Sequence, residues 1–380
     1  MEGIKRFIDC TMPYYFCNLL CEYCYVIQGE YRGSKELKLD YNIDIIKQSL
    51  TKERFGGMCF FSICAAGETL APKETVPIVS ALLDNGHFVN VTNNGTMSKR
   101  IKELCKLPDE MLQRLLLSFS FHYLELKRLN LMDTFFYNVQ TVKDAGISFF
   151  IQINLYDGYI QHIDEIKSLC MERLGVLPQV PATRKMYGYG WRLHTEHEDD
   201  GYFEAGRQFN SLLFEFTTKN FMRKRREFCY AGDWSFKLNL GTGILYDCYG
   251  INKGQNIFEN PDRPIKFRAI GNTCPSIYCV NASHFMSQGI IPSIVTPTYA
   301  ELRNRPEAGW FNETALEYLN GKLSQTNREY TASEKLKANA FAVAQNPKRL
   351  IPDSIKNTVR GMKDMSNWKN IPGWWGNKIT

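Results

Sequence analysis

Two hydrophobic rhythms alternate over the first two hundred residues. Short apolar runs, "IKRFIDC" (4–10), "GMCFFSIC" (57–64), "FVNVTNN" (88–94), "RLLLSFSF" (114–121) and "SFFIQINL" (148–155), have the length and the β-branched and aromatic content of buried strands. Between them lie stretches with helical spacing, "YNIDIIKQSLTKE" (41–53), "KETVPIVSALLDNG" (73–86) and "FFYNVQTVKDAG" (135–146), the last two ending on a glycine stop signal. Strand and helix in alternation predict an α/β fold with a parallel sheet and crossover helices. A sixth strand is expected near 176–193, in a stretch interrupted by Pro and Gly. Five or six such units make a partial barrel, whose chemistry belongs on loops at the carboxyl ends of its strands.

The pattern then changes. Residues 1–195 read as the partial (β/α)6 barrel and 196–228 as a helical linker, with "FEAGRQFNSLLFEFTTKNFMRKRREF" carrying apolar residues at helical spacing. Residues 229–285 are rich in Gly, Asn and Cys and read as a small appended domain held by ligands, and 286–380 as a tail of helix and loop ending in "IPGWWGNKIT". There are no repeats and no low-complexity runs.

At 380 residues and 44% hydrophobic, the chain can bury a large core. The absence of a long apolar run or a secretory signal reads as a cytoplasmic protein without a membrane partner. A net charge of +6 is too mild to imply nucleic acid, and the basic run "MRKRRE" (222–227) is either a solvated helix end or an anion-binding patch.

Twelve cysteines change the picture, because clustered thiols in a reducing compartment point to metal rather than disulfides. Six of them stand apart until partners for Cys229 are counted. The first group, Cys17, Cys21 and Cys24 in "FCNLLCEYCYV", has three readings: a chance cluster of buried thiols, structural zinc, or a 4Fe-4S cluster. Closed zinc sites want four ligands and no fourth lies nearby. Three thiolates on a four-iron cube leave one iron open to a small molecule.

The C-x-x-x-C-x-x-C spacing, with aromatic Tyr23 before the last cysteine, resembles the signature loop of radical S-adenosylmethionine enzymes, and "IKRFIDC" supplies the strand that precedes it. The resemblance implies that the methionine part of the cofactor chelates the open iron, and that reductive cleavage yields a 5′-deoxyadenosyl radical. Further segments are similar in order. "AAGETL" (65–70) resembles the Gly-Gly-Glu motif for the cofactor's amino group, with Gly67 and Glu68 matching and Ala65 and Ala66 departing from it. "VTNNGT" (91–96) offers Asn94, "LSFSFHY" (117–123) offers Ser118 and Ser120, and "IQINL" offers Gln152 and Asn154, all at strand ends. Together these cover about residues 4–160.

Cys229, Cys248, Cys274 and Cys279 form the second group. The C-x13-G-x4-C pattern through Gly243 resembles the opening of the SPASM and twitch extensions, and the cysteine count fits the shorter twitch form with one auxiliary 4Fe-4S cluster. A zinc ribbon would satisfy the same four thiols. The resemblance thus implies S-adenosyl-L-methionine and two 4Fe-4S clusters as cofactors, with a reducing partner such as flavodoxin or ferredoxin. Oxidation, epimerisation and peptide crosslinking all remain open. Epimerisation needs an inward thiol, for which Cys64 is the candidate, otherwise a small buried hydrophobe. His122 is a candidate substrate contact or a structural histidine. The chain begins almost at its first strand, without a leader-peptide domain, which favours a small-molecule or sugar-linked substrate over a peptide. The reading from another class is a non-catalytic metal-binding protein that engages a partner through residues 223–226.

Overall fold

The apolar runs become five strands that pair in parallel and in chain order: β1 (Arg6–Met12), β2 (Cys59–Ala65), β3 (Phe88–Asn93), β4 (Leu115–Ser120) and β5 (Ser148–Gln152). The computed structural model describes residues 3–187, 190–197, 200–272, 274–276 and 278–347. Every residue of β1 and β4 is buried, as expected of a parallel sheet covered on both faces. Helices Thr75–Asp84 and Met132–Asp144 cross between strands, and the glycines just beyond them, Gly86 and Gly146, take φ of +79° and +69° to end them. The helix expected over 41–53 is instead two, Ile43–Ser49 and Lys52–Phe55. Thr51 accepts a hydrogen bond from the Arg54 amide and caps the second.

Three expectations are revised. Among the described residues, no continuous sixth strand forms over 176–193. Two isolated parallel bridges, Gln152 with Gln179 and Leu155 with Ala182, hold its place, since Pro178 and Pro181 cannot donate to a ladder. The chain then makes an antiparallel hairpin, β6 (Arg184–Tyr187) with β7 (Gly190–Leu193). The helical linker is two helices, Gly201–Arg207 and Leu212–Asn220, separated at Asn210 with φ +47°. Residues 223–226 therefore follow a helix rather than end one, and Lys224 donates to the carbonyls of Cys274 (2.9 Å) and Ser276 (2.5 Å).

The third revision concerns residues 229–285. Strand β8 (Ser235–Asn239) pairs in parallel with the free edge of β1, and β9 (Ile244–Tyr246) and β10 (Gly254–Asn256) add antiparallel beyond it. The segment expected as an appendage thus extends the barrel's own sheet, in the order β10-β9-β8-β1-β2-β3-β4-β5. At the turn from β8 to β9, Gly243 has φ +70°, and a Cβ there would come within 2.6 Å of the Phe258 side chain. Only glycine suits that position.

Alternation along the strands grades the barrel interior. Its floor is aromatic, with Phe7, Phe60 and Phe88 in contact at 5.4 and 5.5 Å between ring centroids. One layer higher, Asp9 is in register with both Ser62 and Lys237, and Ser62 with Asn90. Thr11 and Cys64 pair one layer above that. Of the tail, helices Tyr299–Arg303, Glu313–Leu319 and Ala332–Gln345 are described, and the Phe149 amide donates to the Trp310 carbonyl (2.9 Å). The terminal "IPGWWGNKIT" lies outside the described residues. Among those described, no helix is long and apolar enough to cross a membrane.

Candidate active site

The first cysteine group lies in the loop after β1, and the loop after β2 clamps it. The Gly67 amide donates to the Tyr14 carbonyl (2.8 Å) and the Glu68 amide to the Phe16 carbonyl (2.9 Å). A Cβ on Gly67 would stand 2.0 Å from the Phe16 carbonyl oxygen, so the two backbones can meet only at glycine. Arg32 donates to the carbonyls of Cys17 and Leu19 and ties down the outer side. Cys17 Sγ accepts from the Leu19 amide (3.4 Å) and from Asn94 Nδ2 (3.7 Å).

Burial, with Glu68 close by, pushes the Cys17 thiol up to about 12, and burial beside its sister cysteines raises Cys21 as well. Left alone, both stay protonated at neutral pH. A cationic iron centre would supply the charge that makes them thiolates. Three thiols in one clamped loop, with two amides directed at the Cys17 sulfur, have the donor chemistry of an iron–sulfur cluster.

Glu68 is buried, and each of its oxygens accepts one amide, Leu70 N at 2.8 Å and Asn94 N at 2.8 Å. Burial still dominates and raises its carboxyl to about 7. Asn94 in turn donates to Asn18 Oδ1 (2.8 Å), and Asn18 donates to Thr96 Oγ1 (3.0 Å). The cysteine loop, the end of β2 and the end of β3 are thus one hydrogen-bonded unit, and they wall one cavity of about 350 Å³.

Other residues singled out in the sequence fall unevenly around this cavity. Ser120, Gln152, Asn154, Cys64, His122 and Tyr23 line it. Ser118 does not face it: its hydroxyl donates to Asn90 Oδ1 (2.6 Å) one layer down, and Asn90 donates to Ser62 Oγ (3.0 Å). That correction follows from the hydroxyl's partner: Ser118 is turned onto Asn90, while Ser120, two residues on along the same face, lines the cavity. Tyr159, Tyr23 and His122 form a hydrogen-bonded chain, and burial lowers the imidazole to about 4, so His122 is neutral at pH 7 and anchors Tyr23. Cys64 is raised to about 12 by burial and by the proximity of Asp9, which keeps its sulfur protonated.

The structure also brings the second cysteine group together. Burial raises the Cys229 thiol, and the nearness of Cys274, Cys248 and Cys279 raises it further. Cys279 feels Cys248 and Cys274, with Arg225 pulling the other way. Cys279 also lines the large cavity. Neither group is drawn onto a single point: among the described residues, no three His, Cys, Asp or Glu side chains could hold one metal ion. The four thiols, with Lys224 donating to the carbonyls of Cys274 and Ser276, have the donor chemistry of a multi-iron cluster.

Sequence reasoning missed one wall of the cavity. Asp9, Tyr249, Asn281 and His284 line it from β1 and from the segments beyond Cys248 and Cys279. One signal was available: an aspartate inside the apolar strand "IKRFIDC" has to answer for its burial. Nothing local could bring residues 249 and 281 to it.

The sequence model of the radical SAM superfamily matches residues 11–170, from the end of β1 into the helix after β5, so that segment of the chain is similar to radical SAM domains. A 7-carboxy-7-deazaguanine synthase of Thermoplasma acidophilum is 34% identical over 84 residues, 22% of this chain. The match spans 36% of that relative's length. Among solved structures, Streptococcus suis SuiB aligns with a TM-score of 0.47 at 15% identity, over 70% of this chain and 67% of that one. Native anSMEcpe with bound AdoMet aligns at 0.45 and 16%, over 93% and 100% of the two chains. BtrN in complex with AdoMet and 2-DOIA aligns at 0.30 and 14%, over 74% and 94%. Likenesses at this level bear on neither substrate nor mechanism.

Proposed function

We propose that the chain is a radical SAM enzyme that abstracts hydrogen from a small-molecule or sugar-type substrate, giving oxidation or epimerisation, with a twitch-type auxiliary 4Fe-4S cluster on Cys229, Cys248, Cys274 and Cys279. The observation that carries this reading is the single unit formed by Cys17, Gly67, Glu68 and Asn94 on the cavity wall. When bound, the first cluster and S-adenosylmethionine supply a 5′-deoxyadenosyl radical.

The chain's own residues do the rest. Cys17, Cys21 and Cys24 would hold the cluster and leave one iron to the cofactor. Glu68, pinned by two amides, offers its carboxylate to the cofactor's ammonium. Asn94, Ser120, Gln152 and Asn154 border the space for the nucleoside. The cavity's buried walls keep water from a reactive intermediate. Protonated Cys64 is placed to return hydrogen to a substrate radical, and the second cysteine group, which borders the same cavity through Cys279, is placed to exchange an electron with it. A flavodoxin or ferredoxin is the proposed reductant.

Anaerobically reconstituted protein should be brown, absorb near ~400 nm, and hold about eight irons per chain. Replacing Cys17, Cys21 and Cys24 together with Ala should remove half the iron and all cofactor cleavage. Cleavage that survives this triple change refutes the first site. Changing Cys274 and Cys279 should remove the other half, and wild-type iron in that variant would displace the second site. Deuterated sugars and cyclitols, followed for label in 5′-deoxyadenosine, test the substrate class; label arriving only from a peptide would replace it with peptide maturation.

A further inference from the structure

The cavity has a pole that the radical chemistry leaves unused. At its base Asp9, 5% exposed, receives Tyr249 Oη–H at 2.6 Å and Asn281 Nδ2–H at 2.8 Å, both on Oδ2. Among the described residues no group donates to Oδ1. With Oδ2 already holding two donors and Asp9 on the cavity wall, Oδ1 is left to accept from whatever enters the cavity. Tyr249 and Asn281 are themselves held in place. The Tyr249 ring meets Phe285 edge-on at 5.9 Å, and Asn281 Oδ1 shares a hydrogen bond with His284 Nδ1 at 2.7 Å. Two segments distant from β1 in the chain thus hold one carboxylate against a cavity wall.

We propose that Asp9 anchors the substrate, its Oδ1 accepting a hydrogen bond from a hydroxyl of a neutral, polyhydroxylated small molecule. The charge around the pole selects the donor. Lys237 sits in register beside Asp9 on the adjoining strand, and Arg184 lines the same cavity, so cationic side chains already balance the aspartate. An incoming ammonium would meet the cationic Arg184 on the cavity wall, a repulsion that an uncharged hydroxyl escapes. Cys64, one layer above Asp9 and across from Thr11, then stands next to the anchored carbon skeleton, while the cofactor pole at Glu68 and Asn94 lies toward the other cysteine loop. This assignment rests on the small-molecule form of the proposed function.

The test is a binding measurement on iron-loaded protein saturated with S-adenosylmethionine. Four neutral probes are titrated: myo-inositol, scyllo-inositol, N-acetylglucosamine and glycerol. At least one should raise the melting temperature of the wild type, and Asp9→Asn should weaken it about tenfold, the loss of one hydrogen bond to a charged acceptor. Failure of all four on the wild type, or equal binding to Asp9→Asn, overturns the assignment. Should Asp9→Asn not fold, a glycerol soak of wild-type crystals decides: a hydroxyl on Asp9 Oδ1 supports it, and water alone there refutes it. Reductive cofactor cleavage by the same wild-type preparation reports separately on the radical reading. Cleavage without polyol binding removes only the role of Asp9, and polyol binding without cleavage removes only the radical chemistry.

Discussion

Gly67 and Glu68 show how much of the site hangs on single residues. Gly67→Ala would drive a methyl into the Phe16 backbone, which cannot swing aside as a flexible side chain could. We expect a loss of about 1–3 kcal/mol in stability and of S-adenosylmethionine binding, read by thermal melting and by titration with the cofactor. Glu68 makes a prediction in pH. Its carboxyl is raised from the ordinary 4.5 to about 7 by burial, so between these values the folded protein keeps a proton that the unfolded chain has released. Stability contributed by this group therefore falls as pH rises through that window and levels off above it. Melting temperatures of the iron-loaded, cofactor-free protein from pH 5 to pH 8 should show that slope, and Glu68→Gln should flatten it. Cofactor affinity should run the opposite way, weakening below pH 7 as the carboxylate needed by an ammonium is lost. The glycine and the glutamate were readable in "AAGETL" as a motif. That both backbone amides would be spent on the cysteine loop was not, because those bonds link residues more than fifty positions apart.

At the scale of elements, turns and staples matter more than the strands they join. The β8 to β9 turn depends on Gly243, whose positive φ and close approach to Phe258 leave no room for a side chain. Gly243→Ala should destabilise the protein by about 1–3 kcal/mol and shed iron from the second cysteine group first. The basic run acts on the same group. Lys224→Met would leave the Cys274 and Ser276 carbonyls without their charged donor, so iron should drop from about eight toward four per chain while cofactor binding at the first site persists. Iron and sulfide analysis on purified variants checks both. The sequence could class this run only as a solvated end or an anion patch, since a lysine's partners are set by where the chain folds back.

For the molecule as a whole, the joining of β8 to β1 decides what the two cysteine groups can do together. Phe7, Ile8 and Cys10 of β1 are at most 1% exposed, and a strand pairs with each edge of β1. A fragment of residues 1–228 should therefore expose a bare, apolar strand edge and aggregate, measured as loss of soluble protein, where a separable appendage would leave it intact. The sequence by itself determined the alternating strands and helices, the glycine stops and both cysteine sets, because hydrophobic period and ligand spacing act over a few residues and need no partner. Only the tertiary structure decided that Ser118 turns its hydroxyl onto Asn90, that prolines reduce the sixth strand to two bridges, and that Tyr249 and Asn281 meet Asp9. Those outcomes depend on register between strands and on contacts between segments up to 272 residues apart, which no local pattern encodes.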